Sequence, residues 1–274
     1  MLDNARKKEI IKTAYKMLKF LGFMRFPIQL EALTQACTDR LHIPVCTYSQ
    51  YAAFRKTSIF DVARKFNSFE AVTCFTPSPL IFYNDGYSQM AHRQRFSLAH
   101  EVGHVSLLHN QEKGAYLCQG KMVPKELSAA LETEANFFAA CFLAPVEVVL
   151  SVSAAYPNWS KYSVYGLLRE AFGLSKEAAY IRLDQIQDPR GQELLDWDRV
   201  NAFGPYIKEF SSVYDQSFVD ALTDKHRTDY EQMRKLHYMK DNGTFTPPPV
   251  PWLRTRQVVQ DVMAQISTGV GGTV

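Results

Sequence analysis

Arg93-Gln-Arg-Phe-Ser-Leu-Ala-His100-Glu101-Val-Gly-His104-Val-Ser-Leu-Leu-His109 decides how this chain is read. Its apolar spacing is helical, and it contains H-E-x-x-H. On a helix, His100 and His104 stand one above the other, close enough for both imidazoles to bind one tetrahedral metal ion. Glu101 lies beside that face, where it can take a proton from water instead of occupying a coordination site. Phe96, Ala99, Gly103, Leu107 and Leu108 share the face, so the histidines interrupt an apolar stripe that points inward. Buried imidazoles need partners, and zinc would supply one. A pentapeptide this short also arises by chance around ordinary core histidines, so the reading needs a third ligand.

A second helical stretch, running from Pro124 to Pro145, offers one. Its apolar stripe is Leu127, Ala130, Leu131, Ala135, Phe138, Cys141 and Phe142, and Glu134 falls in the middle of it. A carboxylate at such a position is costly unless it binds a metal or pairs with a buried Arg or Lys. Glu132, two residues earlier, falls on the opposite face and is expected to be solvated. Two histidines from one helix and Glu134 from another would form an open three-ligand zinc site, with a fourth position left for water.

The run from Arg93 to His104, followed by Glu134-Ala135-Asn136-x-Phe138-Ala139 and a closing Leu143-Ala-Pro145, closely resembles the ImmA/IrrE family of metallo-endopeptidases. Leu80-Ile-Phe-Tyr-Asn-Asp85 is similar to that family's strand and turn leading into the active-site helix. The resemblance extends from Asp3 to Ile186 and is strongest from Leu80 to Pro145. It implies a zincin-like α+β core and a Zn2+ ion held by His100, His104 and Glu134, with Glu101 as general base. It further implies an intracellular regulatory protease, often encoded beside a helix-turn-helix repressor and acting on that repressor.

Composition narrows the remaining classes. A chain of 274 residues, 46% of them hydrophobic, suits one domain with an appendage or two small domains. A formal net charge of +3 is too small to imply direct nucleic-acid binding. Cys37, Cys46, Cys74, Cys118 and Cys141 are odd in number and lack C-x-x-C spacing, which argues against a disulfide framework and for a cytoplasmic protein. No run approaches the length a membrane span needs, and no secretory leader is legible.

The chain in order reads as follows. An amphipathic helix spans Asp3 to Leu21 and is closed by Gly22, with a basic outer face from Arg6 to Lys19 expected to be solvated. A short helix opens at Pro27, a strand covers Ile43 to Tyr48, and another helix spans Ile59 to Phe66. Ala71–Phe75 and Leu80–Tyr83 form two strands of a small antiparallel sheet, and Leu80–Tyr83 is expected at its edge, where an extended peptide could add. Asn110 to Met122 reads as a loop bordering the cleft. It carries Tyr116, whose spacing supports no site role. His109 reads as a helix-end histidine near the carbonyl dipoles, with a role behind a metal ligand or as a substrate-facing base as the alternatives.

Helices then follow over Val146–Ser153, Lys161–Phe172 and Lys176–Ile186. The last two invite comparison with a helix-turn-helix, but their four basic and three acidic residues make too weak a field to read DNA. A boundary at Asp188–Gly191 divides an expected metallopeptidase domain, 1–186, from a mostly helical C-terminal extension, 187–274. The extension carries Phe203, Tyr206, Phe210, Tyr214 and Phe218 at spacings near four, an aromatic face expected to pack on the core, with a partner-binding surface as the alternative. Pro247–Pro251 must be extended, and a last helix is expected over Arg256–Ile266. Two function classes remain: a zinc endopeptidase acting on a protein substrate, in particular a DNA-binding repressor, or a metal-stabilised partner that acts by sequestration. Glu101 favours the enzyme, because a structural zinc site has no use for it.

Overall fold

The computed structural model describes residues 2–75, 78–86, 91–111, 125–154, 156, 160–187 and 196–241. The expected loop from Asn110 to Met122, except its first two residues, lies outside these, as do the Asp188–Gly191 boundary, the Pro247–Pro251 run and the Arg256–Ile266 helix.

The first helix, α1 (Asn4–Leu21), begins where Asp3 accepts the backbone N–H of Arg6 and ends at Gly22, whose φ of 77° suits glycine at a helix terminus. Ile10, Ile11, Ala14, Leu18 and Leu21 are its buried face. The helix expected from Pro27 starts later, as α2 (Leu30–Arg40). The strand expected over Ile43–Tyr48 is shorter, β1 (Val45–Thr47), because Thr47 already caps a helix that sequence reading missed, α3 (Tyr48–Arg55). There the Thr47 side chain accepts from Gln50 N–H while the Gln50 side chain accepts from Thr47 N–H, a reciprocal cap. Helix α4 (Ile59–Phe66) follows, capped by Ser58.

Strands β2 (Ala71–Cys74) and β3 (Leu80–Tyr83) pair antiparallel, as expected, while β1 pairs parallel to β3. The order β1-β3-β2 makes Leu80–Tyr83 the central strand, contrary to the expected edge position, and leaves Ala71–Cys74 at an edge. Alternation along β3 gives each face its own core. Ile81 joins the main helical core, while Phe82 joins Tyr48, Ala52, Val62 and Ala63 beneath α3 and α4. Thr73 lies opposite Ile81 in the register, which turns it toward the main core and the helix that carries His100 and His104.

That helix, α5 (Ala91–Ser106), packs against α6 (Lys125–Leu143). Gly103 allows the close approach: a Cβ there would lie 3.0 Å from Phe138 Cδ1 and 3.3 Å from the Ala135 carbonyl oxygen. Arg95, buried on α5, donates to the carbonyls of Ile28, Phe172 and Gly173, fastening the helix to two connecting segments. After α6 come α7 (Val146–Ala154), α8 (Lys161–Glu170) and α9 (Lys176–Gln187). Among the described residues no single helix is long and apolar enough to cross a membrane. Helices α6 and α7 pass that test only as a pair bent by 42°, and burial of Phe138, Phe142, Val148 and Val149 in the core accounts for their apolar character.

Beyond residue 187 the described elements are α10 (Trp197–Ala202), α11 (Gly204–Val213) and α12 (Gln216–Asp241). Contacts divide the chain into Met1–Tyr230 and Glu231–Val274, so the first compact unit continues well past the boundary expected at 186. The physical reason is burial. Phe203 packs on Tyr15 and Phe26, Val219 and Leu222 are enclosed, and Arg199 pairs with the buried Glu147 at 2.6 Å. Tyr206, Phe210, Tyr214 and Phe218 form a continuous ladder of ring contacts, and Tyr156 donates to the Tyr214 carbonyl at 2.6 Å. The second unit, of which only the end of α12 is described, contains the ion pair of Glu231 and Arg234.

Candidate metal centre

His100 and His104 project from one face of α5 with their Nε2 atoms 3.0 Å apart. The carboxylate that meets them is Glu132. Its Oε2 lies 3.1 Å from His100 Nε2 and its Oε1 lies 3.4 Å from His104 Nε2. One ligand atom from each of the three residues falls within 4.8 Å of the others. Two donors on a tetrahedral zinc ion stand about 3.3 Å apart, so little movement is needed to close on one.

Hydrogen-bond accounting supports a cation at this point. His100 Nδ1 lies 3.0 Å from Asn136 Oδ1, an acceptor, so the ring proton belongs on Nδ1. The other nitrogen then faces a carboxylate oxygen and a second imidazole nitrogen, three electron-pair donors converging on one place. The electrostatics agree. Burial lowers the proton affinity of His100, but its contact with Glu132 and the charges of Glu101 and Glu132 outweigh that and raise it. Were the imidazoles protonated, hydrogen bonds from His100 and His104 would hold the Glu132 carboxyl far below the usual carboxylate range, so the carboxylate faces a place that favours positive charge.

Glu134, the third ligand expected from the sequence, lies outside this cluster. Its carboxylate accepts from Arg6 Nε at 2.9 Å and Arg6 Nη2 at 2.5 Å, and it lies 3.1 Å from His109 Nε2. The alternative weighed for this residue, a salt bridge, is what the fold supplies, although the partner, Arg6, is only partly buried. Helix α6 is buried on more than one side, against α5 and against α1, so a central place in its apolar stripe does not identify the side facing the histidines. Glu132 and Asn136, four residues apart, share that side. Glu134 is turned by about 160° from Glu132 toward α1.

Glu101, only 7% exposed, accepts from Thr73 Oγ1 at 2.6 Å. Thr73 thus orients the carboxylate from the sheet, a contact no sequence motif announced. Glu101, the two histidines and Glu132 open on a cleft of about 500 Å³ walled on one side by Ala71, Val72 and Thr73 of the edge strand. Glu70, at the cleft wall, accepts from Arg93 Nε at 2.7 Å and Ser97 Oγ at 3.1 Å. His109 is fully buried behind His104, with the two Nδ1 atoms 2.9 Å apart, the place that the alternative role behind a metal ligand requires.

The model of a peptidase family described as the IrrE N-terminal-like domain matches residues 43–184, just over half of the chain. The match covers the sheet, the helices α5 and α6 that carry the candidate metal cluster, and the pair α8–α9. Comparisons with curated proteins and with solved structures found no match.

Proposed function

Because the chain belongs to the family of IrrE N-terminal-like peptidase domains, we propose that it is a zinc-dependent endopeptidase making specific, regulatory cleavages in a protein substrate. The observation that carries this reading is the convergence of His100, His104 and Glu132 beside Glu101, at the floor of a cleft bordered by an open strand edge. His100, His104 and Glu132 would hold the ion, leaving a position open to solvent. Zinc bound there would supply Lewis acidity, bringing the pKa of water down to about 7 and polarising a peptide carbonyl.

The chain's own residues supply the rest. Glu101 accepts the proton of the attacking water and returns it to the leaving amine, and Thr73 holds its carboxylate in place for both transfers. An extended peptide would lie along Ala71–Cys74, pairing with backbone groups that β3 does not use, and so present its carbonyl across the cleft. A DNA-binding repressor of the helix-turn-helix type is the substrate we propose, with a cytoplasmic site of action and no direct contact of this chain with nucleic acid.

Glu101→Gln separates cleavage from sequestration. Co-expressed with a candidate helix-turn-helix repressor, wild type should cut it, while Glu101→Gln should bind zinc normally and leave it intact. Full relief of repression by the variant would overturn the peptidase reading in favour of sequestration.

A further inference from the structure

We infer that His109 is a positioning residue for the metal centre, holding His104 in the one tautomer that leaves its Nε2 lone pair free for the ion, with Glu134 and Arg6 fixing His109 in turn. The inference rests on the reading of His100, His104 and Glu132 as metal ligands.

The argument is a count of protons along a chain of contacts. Arg6 donates to both oxygens of Glu134 through Nε and Nη2, so that carboxylate is an acceptor. His109 Nε2, 3.1 Å from Glu134 Oε2, must then carry the proton it donates. A neutral His109 has a bare Nδ1, which accepts from the nitrogen 2.9 Å away, His104 Nδ1. His104 is therefore protonated on Nδ1. Its Nε2 is left as an electron-pair donor, aimed at the point where His100 Nε2 and Glu132 also converge. A metal-binding histidine is commonly oriented this way through its second nitrogen, and loss of such a partner costs about 10–100-fold in metal affinity.

The backbone is built for this contact. Had α5 continued, residue 109 would have pointed well away from the His104 side. Instead α5 ends at Ser106, and Leu108 takes φ 59°, a left-handed conformation rare for a bulky residue. That reversal leaves Leu108 52% exposed and buries His109 completely. An apolar side chain turned out to solvent and a polar one turned in is the opposite of what burial alone selects. The other end of the chain of contacts comes from α1, 128 residues from Glu134 in sequence. The N-terminal helix thereby braces the metal centre from behind.

Zinc affinity of full-length His109→Leu and His109→Gln, measured by competition with a chromophoric chelator, tests the inference. Gln can accept from His104 Nδ1–H through its amide oxygen and donate to Glu134 through its nitrogen, whereas Leu can do neither. The expected result is a loss of about 10–100-fold for Leu and recovery to within a few-fold of wild type for Gln. Equal affinity in His109→Leu and wild type overturns the inference, and so does an equal loss in both variants, which would mean that only the shape of His109 matters. Long-range 1H–15N spectra of the zinc-free wild-type protein test the tautomer without any substitution, should His109→Leu fail to fold. They should show His104 protonated on Nδ1, and a proton on Nε2 alone contradicts the assignment. Failure of the wild type itself to bind zinc would instead overturn the underlying metal-site reading.

Discussion

Glu132 and Asn136, one turn apart on α6, grip His100 from both ends of its ring: Glu132 Oε2 is 3.1 Å from Nε2 and Asn136 Oδ1 is 3.0 Å from Nδ1. On the proposed metal reading the carboxylate stands where a third ligand would, and the amide fixes the ring that would ligate beside it. Asn136→Leu should therefore weaken zinc binding by about tenfold or more while leaving the fold intact, whereas Asn136→Asp, which keeps an acceptor, should bind zinc close to wild type. Chelator competition on the two purified proteins checks this. Unchanged affinity in the leucine variant would mean that His100 needs no partner on Nδ1.

In the proposed mechanism Thr73 acts through Glu101 and not through the metal. Removing its hydroxyl deprives a buried carboxylate of a hydrogen bond, an interaction worth about 1.5–3 kcal/mol when one partner is charged. Thr73→Val should lower kcat by about tenfold or more with zinc content and KM near wild type. Thr73→Ser should recover most of the rate. A loss carried in KM alone would place Thr73 in substrate binding.

Much of this arrangement is legible in the sequence, though unevenly. Asp3 and Gly22 mark the ends of α1, Ser58 and the following apolar spacing mark α4, and H-E-x-x-H places both histidines on one face. The Thr47–Gln50 cap was equally readable, but the apolar run before it reads as a strand continuing to Tyr48, so α3 was missed. That Glu132 and not Glu134 faces the histidines was unreadable for a deeper reason. Burial marks which side of a helix is covered, not by what, and α6 is covered by two helices. The spacing of Glu132 to Asn136 was the available signal, since the two polar side chains share one face in an otherwise apolar segment. Strand order was not readable either, because pairing between β1 and β3 is set by helices α3 and α4 on one face and the main core on the other.

Gly103 sets the separation of the two site helices. Gly103→Ala should destabilise the protein by about 1–3 kcal/mol, because Phe138 and the Ala135 backbone must give way to the added methyl. Chemical denaturation should show it as a lower midpoint at unchanged slope, with weaker zinc binding in the same variant. A neutral result would show that α5 and α6 separate freely.

The C-terminal elements are part of the first compact unit. Arg199→Ala should cost about 3–5 kcal/mol, since it strands the Glu147 carboxylate at a site 3% exposed. A chain cut at residue 186 loses this partner together with Phe203, Val219 and Leu222, and should be insoluble or largely unfolded. A soluble, cooperatively melting, zinc-loaded 1–186 would show instead that residues 187–230 only clasp an independent domain.

The central claim is that His100, His104 and Glu132 are the metal ligands, and crystals of the zinc-loaded protein measured at the zinc absorption edge test it most directly. The account predicts one anomalous peak about 2.0–2.2 Å from His100 Nε2, His104 Nε2 and a Glu132 oxygen, with Glu134 still paired to Arg6. A peak ligated by Glu134, or none between the two histidines, would contradict it.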